Sequence, residues 1–312
     1  MAVVALRTEA KRRRRVDLRR ATPYLLVAPA LLVVAGVLAF PLGMLVSLAF
    51  QRYSLAELFA HQGKFVGLDN FATVFGDELF WQVLRTSLVF TLANVGLTIV
   101  LATLLALLLQ RASWWARTLL TAGLVFVWAT PSLVAIDVWQ WMFDFEFGVA
   151  NYALTHLGIG DFIHHNWFED PLQGFAVITG TVVWAGIPFV AITLYAGLMQ
   201  VPRELVEAAQ VDGAGPFAVF RTITFPFLRP LLLIVASLST IWDFGVFNQV
   251  WVMLNQRPSQ DFYLMGVYAY VESFKVSQYG LGSAIALVMV AILIVVTFFY
   301  VRQMLRIGQN EL

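Results

Sequence analysis

The 312-residue sequence contains no cysteine. Disulfide frameworks, cysteine-ligated zinc and thiol nucleophiles are therefore excluded, and the redox compartment leaves no trace. Charge is scarce too. Only 12% of residues are Asp, Glu, Lys or Arg, where a soluble domain carries about a quarter. No G-x-x-x-x-G-K-[ST] phosphate loop occurs: the nearest fragment, Gly63-Lys64, lacks the first glycine and the hydroxyl residue. Nucleotide hydrolysis on a phosphate loop is therefore not expected of this chain. The apolar segments hold no convergent Ser/His, paired-Asp or HExxH set, so an intramembrane enzyme is not expected and no catalytic residue is assigned. His164-His165 with Asp161 and Glu169 lack ordered ligand spacing, and no metal site is expected there.

Apolar residues are what the sequence has in excess, at 60%, with a mean hydropathy of +0.78. A span needs about 20 apolar residues. Six segments meet that length, at roughly 24–50, 87–109, 118–141, 174–199, 229–253 and 281–301. The expectation is an all-α membrane protein with six transmembrane helices. Its parts are a basic arm (1–22), a first helix (23–50), an outer interfacial segment with short helices (51–86), a core transmembrane bundle (87–301) and a tail (302–312).

Orientation follows from the charges. The arm holds Arg7, Lys11, Arg12 to Arg15, Arg19 and Arg20. It abuts an apolar segment too long for a cleavable signal, so lipid rather than nucleic acid is its expected partner. Arg111 and Arg117 mark one turn without acids, whereas 142–173 carries Asp144, Glu146, Asp161, Glu169 and Asp170 without Lys or Arg. With both termini in the cytoplasm, fifteen of the twenty basic residues lie inside.

The most patterned stretch is Val201–Pro230, a polar insert between the fourth and fifth apolar segments. Pro202 suits a helix start, because its missing N–H is one that a first turn leaves unpaired. Glu204 and Glu207 suit the positive end of the helix dipole. Asp212-Gly213-Ala214-Gly215 should break that helix, since glycine reaches left-handed angles cheaply. Pro216 should open a second short helix, which Pro226 and Pro230 should end. A cytoplasmic helix-turn-helix results, shaped to hand force to another protein.

Two acids fall inside apolar segments, Asp137 and Asp243. Each costs about 2.5–3.5 kcal/mol at mid-span, so neither should face lipid. Asp137 lies near the end of its segment beside Trp139 and Trp141, which favours an interfacial role. Asp243 shares one helix face with Ser239, Trp242 and Val246. A hydroxyl, an indole and a carboxylate together suit a sugar, whose C–H faces stack on rings while its hydroxyls need directed partners. A packing hydrogen bond or an ion pair between subunits is the other reading of Asp243.

The pattern Glu207-Ala208-Ala209, Asp212-Gly213-Ala214, Phe220, Ile223, Pro226 and Pro230 resembles the EAA loop of ATP-binding cassette importer permeases. Further matches are Phe65–Phe71 (FVGLDNF), then Trp139 with Gly148 and Asn151, then Trp184–Phe189 (WAGIPF), and Tyr279–Ala284 (YGLGSA). Together they resemble the carbohydrate-uptake branch, and within it the first permease subunit of maltose-type transporters. The resemblance implies that Glu207, Ala208, Ala209, Asp212, Gly213, Ala214 and Phe220 dock on a separate ATPase. It implies that Gly186, Phe189, Ser239, Trp242 and Asp243 line the substrate path. The implied partners are a second permease subunit, a dimer of ATP-binding subunits holding ATP and Mg, an extracytoplasmic sugar-binding protein and a small sugar. The implied location is the bacterial inner membrane, and this chain itself should bind no cofactor. Three departures stand out. Val182 and Val246 replace asparagines of the maltose type, Asn255-Gln256-Arg257 replace a Gly-rich turn before Pro258, and the large extracytoplasmic domain of the maltose protein is missing. An importer for a glycerol phosphodiester or a polyamine, or a secondary transporter, are the alternatives.

Overall fold

The computed structural model describes residues 18–310. The chain divides into two compact units, Met1–Ser47 and Leu48–Leu312. The first is described as the greater part of helix α1 (Leu18–Ala49), which stays helical through Pro23, Pro29 and Pro41. From Pro23 on, α1 is long and apolar enough to cross a membrane. Residues 1–17 of the basic arm lie outside the described residues.

The second unit begins with β1 (Gln51–Arg52), α2 (Leu55–Ala60), β2 (Lys64–Phe65) and α3 (Asp69–Gly76). The two strands pair antiparallel, with Gln51 opposite Phe65. Then come α4 (Glu78–Arg111), α5 (Trp114–Ala129), α6 (Ser132–Met142), α7 (Val149–His156) and α8 (Pro171–Leu198). The remainder comprises α9 (Arg203–Val211), α10 (Pro216–Val219), α11 (Phe225–Phe244), α12 (Asn248–Met253), α13 (Met265–Tyr270) and α14 (Tyr279–Asn310). Asp77 caps α4 by accepting from the Leu79 amide at 3.0 Å, and Asp170 caps α8 from the Gln173 amide at 3.0 Å. In each case a carboxylate satisfies one of the donors that a first turn leaves open.

Among the described residues, five helices are long and apolar enough to span, or six if one bent pair counts as a span. That pair corrects an expectation. The apolar segment 118–141 is no continuous helix: α5 and α6 meet at 99° across Thr130-Pro131. Proline lacks the amide that would continue the ladder and pushes the residue before it to extended angles, and Thr130 takes φ −69°, ψ 129°. The segment 229–253 is likewise interrupted, with α11 ending at Phe244 and α12 starting at Asn248.

Three apolar clusters hold the bundle. Phe90, Ile178, Val182, Val246 and Val250 share one. Ala102, Ala106, Val190, Leu194, Leu228 and Val235 share another, where two alanines let α4 approach α8 closely. The third joins Phe80 and Val83 of α4 to Met265 and Tyr268 of α13 and Ile285 of α14. Clusters one and two run α4 and α11 antiparallel, because Phe90 goes with Val246 while Ala102 goes with Val235.

A backbone clamp closes the segment around β1. Asn70 Nδ2 donates to the carbonyls of Ala49 (2.8 Å) and Gln51 (2.9 Å). The Gly280 amide donates to the Tyr53 carbonyl at 3.0 Å. A Cβ on Gly280 would stand 2.1 Å from the Gln51 carbonyl oxygen, so only glycine fits there. Nearby, Tyr268 donates its hydroxyl to Asp77 Oδ2 at 2.7 Å.

Candidate functional site

The insert folds as far as Gly215 in the way its residues dictate. Pro202 precedes α9, which ends at Val211. Gly213 takes φ +84°. The Asp212, Gly213 and Ala214 amides bond back to Ala208, Gln210 and Ala209 at 2.9–3.0 Å, satisfying carbonyls that the end of α9 leaves open. Beyond Pro216 the expectation fails. Pro226 and Pro230 do not end a short helix: the chain stays helical from Pro216 through a π-turn at Phe220–Thr224 into α11. The Phe225 amide reaches back to the Phe220 carbonyl, an i→i−5 bond. The extra residue of this π-turn interrupts the i→i−4 ladder just before Pro226, so the proline, which has no amide to donate, falls where that ladder is already broken.

Of the seven insert residues proposed for docking, Glu207, Ala208, Asp212 and Gly213 are exposed, and Ala209, Ala214 and Phe220 are half-buried. Phe220 turns inward, 6.3 Å ring to ring from Phe225. The large apolar residues that α9 and α10 present outward are others: Leu205, Val211 (88% exposed) and Phe217 (76% exposed). A cleft of about 840 Å³ opens between the Ile99–Arg111 stretch of α4 and the insert, with Glu207, Arg203 and Phe217 among its lining.

The five residues proposed for the substrate path sit on α8 and α11. Phe189 and Trp242 meet edge to face, 5.3 Å apart at 68°. Trp242 stays half exposed at 51%, whereas Ser239 and Asp243 beside it on α11 are buried. Gly186 sits against α4, where an added Cβ would lie 3.3 Å from Thr98 Cγ2. Asp137, by contrast, is exposed on α6, away from this group of residues in sequence and element. Among the described residues no group of His, Asp and Glu is placed to hold a metal ion.

Residues 98–308 match the family model described as binding-protein-dependent transport system inner membrane component. The chain belongs to this family. It is a multi-pass inner-membrane permease, a non-catalytic component of an ATP-binding cassette importer. The permease is 40% identical to the diacetylchitobiose uptake system permease protein DasB of Streptomyces coelicolor, over 93% of this chain and 88% of that one. It is 32% identical to the sulfoquinovosyl glycerol transport system permease protein SmoG of Agrobacterium fabrum, over 89% and 88%. It is 29% identical to the trehalose/maltose transport system permease protein MalF of Thermococcus litoralis, over 89% and 92%. The resemblance to the carbohydrate-uptake branch is thus borne out. A solved bacterial importer of the acidic polysaccharide alginate shares the fold, with a TM-score of 0.75 at 19% identity over 93% of this chain and 97% of that one.

Several motif residues of the permease turn out to build the scaffold. Asn151 donates to the His165 carbonyl (3.0 Å) and accepts from the Trp167 indole (2.5 Å), which pins the acidic loop. Gly148 has no room for a Cβ, which would stand 2.3 Å from the Asp144 carbonyl. His165 is engaged by Gln173 at 2.6 Å. The motifs 65–71 and 279–284 meet in the clamp of Asn70, Gln51 and Gly280. Sequence reasoning placed a span at 87–109 but missed the polar face of α4. Its buried stripe Ser87, Thr91, Asn94 and Thr98 follows helical spacing and was legible as polar residues recurring within an apolar run.

Proposed function

We propose that the chain is the first permease subunit of an ATP-driven sugar importer, forming half of the translocation path. The observation that carries this reading is the Phe189–Trp242 ring pair beside buried Ser239 and Asp243. Half-exposed aromatic faces flanked by hydroxyl and carboxylate oxygens suit a neutral polyol, and one acid among rings suits a polyamine or a phosphate ester poorly. The relatives named for diacetylchitobiose and for trehalose/maltose support the same substrate class.

Both termini and the 201–230 insert face the cytoplasm in this reading, in keeping with the fifteen basic residues on that side. The insert docks on one subunit of an ATPase dimer, with Glu207 meeting a basic partner residue and Val211 and Phe217 adding apolar contact. A second permease completes the path, and an extracytoplasmic binding protein delivers the sugar. The helical run from Pro216 to Phe244 then acts as a lever. A push on α10 moves Ser239, Trp242 and Asp243 without an intervening hinge loop, while α8 on the other side of the insert carries Gly186 and Phe189. Closure of the ATPase dimer thereby shifts both walls of the path together.

The test is uptake by the complete complex in proteoliposomes, with maltose, trehalose and diacetylchitobiose offered in turn together with the binding protein. Stimulated ATP hydrolysis and accumulation of one of them are expected. Accumulation by this chain without any ATPase, or no response to any sugar, overturns the reading.

A further inference from the structure

We infer that Thr91 and Asn94 of α4 are solute-contacting residues, completing the sugar site from a third helix; the inference rests on the sugar-importer reading. Three buried side-chain oxygens have no hydrogen-bond partner among the described residues: Thr91 Oγ1, Asn94 Oδ1 and Asp243 Oδ2. Their residues are 3%, 0% and 8% exposed. Leaving a buried acceptor unsatisfied is costly, more so in a membrane interior. Each such orphan calls for an explanation.

The packing register puts Asn94 and Asp243 at one level. Phe90 of α4 and Val246, just past α11, share one apolar cluster, and Ala102 and Val235 share the next. Between these levels the two helices run antiparallel. One turn from Phe90 toward Ala102 is Asn94, and one turn from Val246 toward Val235 is Asp243. α8 fits the same register. Val182 lies in the Phe90 cluster, and Gly186 faces Thr98 one turn past Asn94. Asn94 and Asp243 thus fall at one level, about one turn from the contact of Gly186 with Thr98, and Thr91 lies one turn of α4 beyond Asn94.

Asn94 Oδ1 and the Asp243 carboxylate accept, the Thr91 hydroxyl can accept as well as donate, and this chain brings them no cationic donor. Lys and Arg are absent from α4 between Arg85 and Arg111, from all of α8, from α11 beyond Arg229 and from α14 before Arg302. Asn94 already spends its amide on the Phe90 carbonyl, at 2.7 Å. A solute in the path supplies the donors that the described residues do not. A sugar offers several hydroxyl donors within a few ångströms, with C–H faces for the neighbouring rings, and so matches both halves of the site. Thr91 and Asn94 then read particular hydroxyls, a discrimination that aromatic stacking alone does not provide.

The experiment compares wild type with Thr91→Val and Asn94→Leu, which keep volume and remove the acceptor, and with Thr91→Ser, which restores it. Uptake kinetics are measured in the complete reconstituted complex with whichever of maltose, trehalose and diacetylchitobiose the wild type carries, and with its monodeoxy analogues. The expected result is a KM for uptake raised about 3–10-fold by each acceptor deletion, as one lost hydrogen bond implies. Thr91→Ser should return KM toward wild type, and one deoxy analogue should be carried equally by wild type and variant. Wild-type KM in both Thr91→Val and Asn94→Leu, with raised thermal stability from losing an orphaned group, overturns the inference and makes the stripe a packing feature. Should Asn94→Leu fail to assemble, the Thr91→Val and Thr91→Ser pair decides alone. Absence of uptake of all three sugars by wild type overturns the sugar-importer reading instead, and with it the substrate named here.

Discussion

Phe189 and Trp242 lie on either side of the insert in sequence yet meet edge to face, with ring centroids 5.3 Å apart. They join the two helices, α8 and α11, that the insert connects. Such a pair contributes about 0.5–1.5 kcal/mol beyond its buried area, enough to hold a geometry but small enough to rearrange in a transport cycle. Trp242→Ala should lower sugar uptake at least about tenfold, an interaction of about 1.4 kcal/mol, while the ATPase still co-purifies. Phe189→Ala should act in the same direction. Unchanged transport kinetics would move both rings to a packing role.

Gly213 holds a left-handed backbone angle, φ +84°, with open space around its missing Cβ. A side chain there meets strain of about 1–2 kcal/mol from its own backbone rather than a clash with neighbours. Gly213→Val should therefore leave membrane insertion intact while tilting α9 against α10. The expected phenotype in proteoliposomes is ATP hydrolysis that no longer drives uptake. Glu207→Ala should weaken ATPase binding, read by co-purification, because its exposed carboxylate has no structural task in the described chain.

The clamp around β1 predicts a stability loss rather than a loss of coupling. Asn70→Ala leaves two backbone carbonyls without a shared donor and should cost about 1–3 kcal/mol. Gly280→Ala would place a methyl 2.1 Å from the Gln51 carbonyl and should be worse. Thermal unfolding of the purified complex in detergent is the measurement, with midpoints lowered in the order Gly280→Ala below Asn70→Ala below wild type.

The turn after α12 predicts the opposite sign. Asn255 and Gln256 take φ 52° and 61°, where most side chains are strained. Gln256→Gly should stabilise by about 1 kcal/mol through relief of that strain. Asn255→Gly should gain less, since Asn tolerates the angle and its Oδ1 accepts from Gln140 at 3.0 Å. A lowered midpoint for Gln256→Gly would show that its side chain makes a contact worth more than the strain.

Glu272 has its carboxyl pushed above its usual 4.5 by burial and by the Asp77 carboxylate. The folded state therefore prefers the neutral acid. The favourable contribution is fully present below pH 4.5 and is lost as pH rises through the folded value. Glu272→Gln mimics the neutral form and should flatten that part of the profile, gaining on wild type toward neutral pH. Parallel stability profiles from pH 4 to pH 8 would contradict it.

Much of this protein was determined by sequence alone. Apolar runs longer than about 20 residues identify membrane helices whatever packs around them, because lipid demands an internally bonded backbone. The break at Gly213 was equally local, since φ and ψ are set by near neighbours. Tertiary structure decided the rest. Whether Pro226 and Pro230 would stop a helix depended on the π-turn before them, which no propensity encodes. Pro131 bends one expected span through 99°, and α6 beyond the bend packs on α12 and α8. The meeting of Phe189 with Trp242, and of Asn70 with Gln51 and Gly280, joins residues far apart in the chain. A helix's own spacing tells which residues share a face but not the depth at which a second helix meets them.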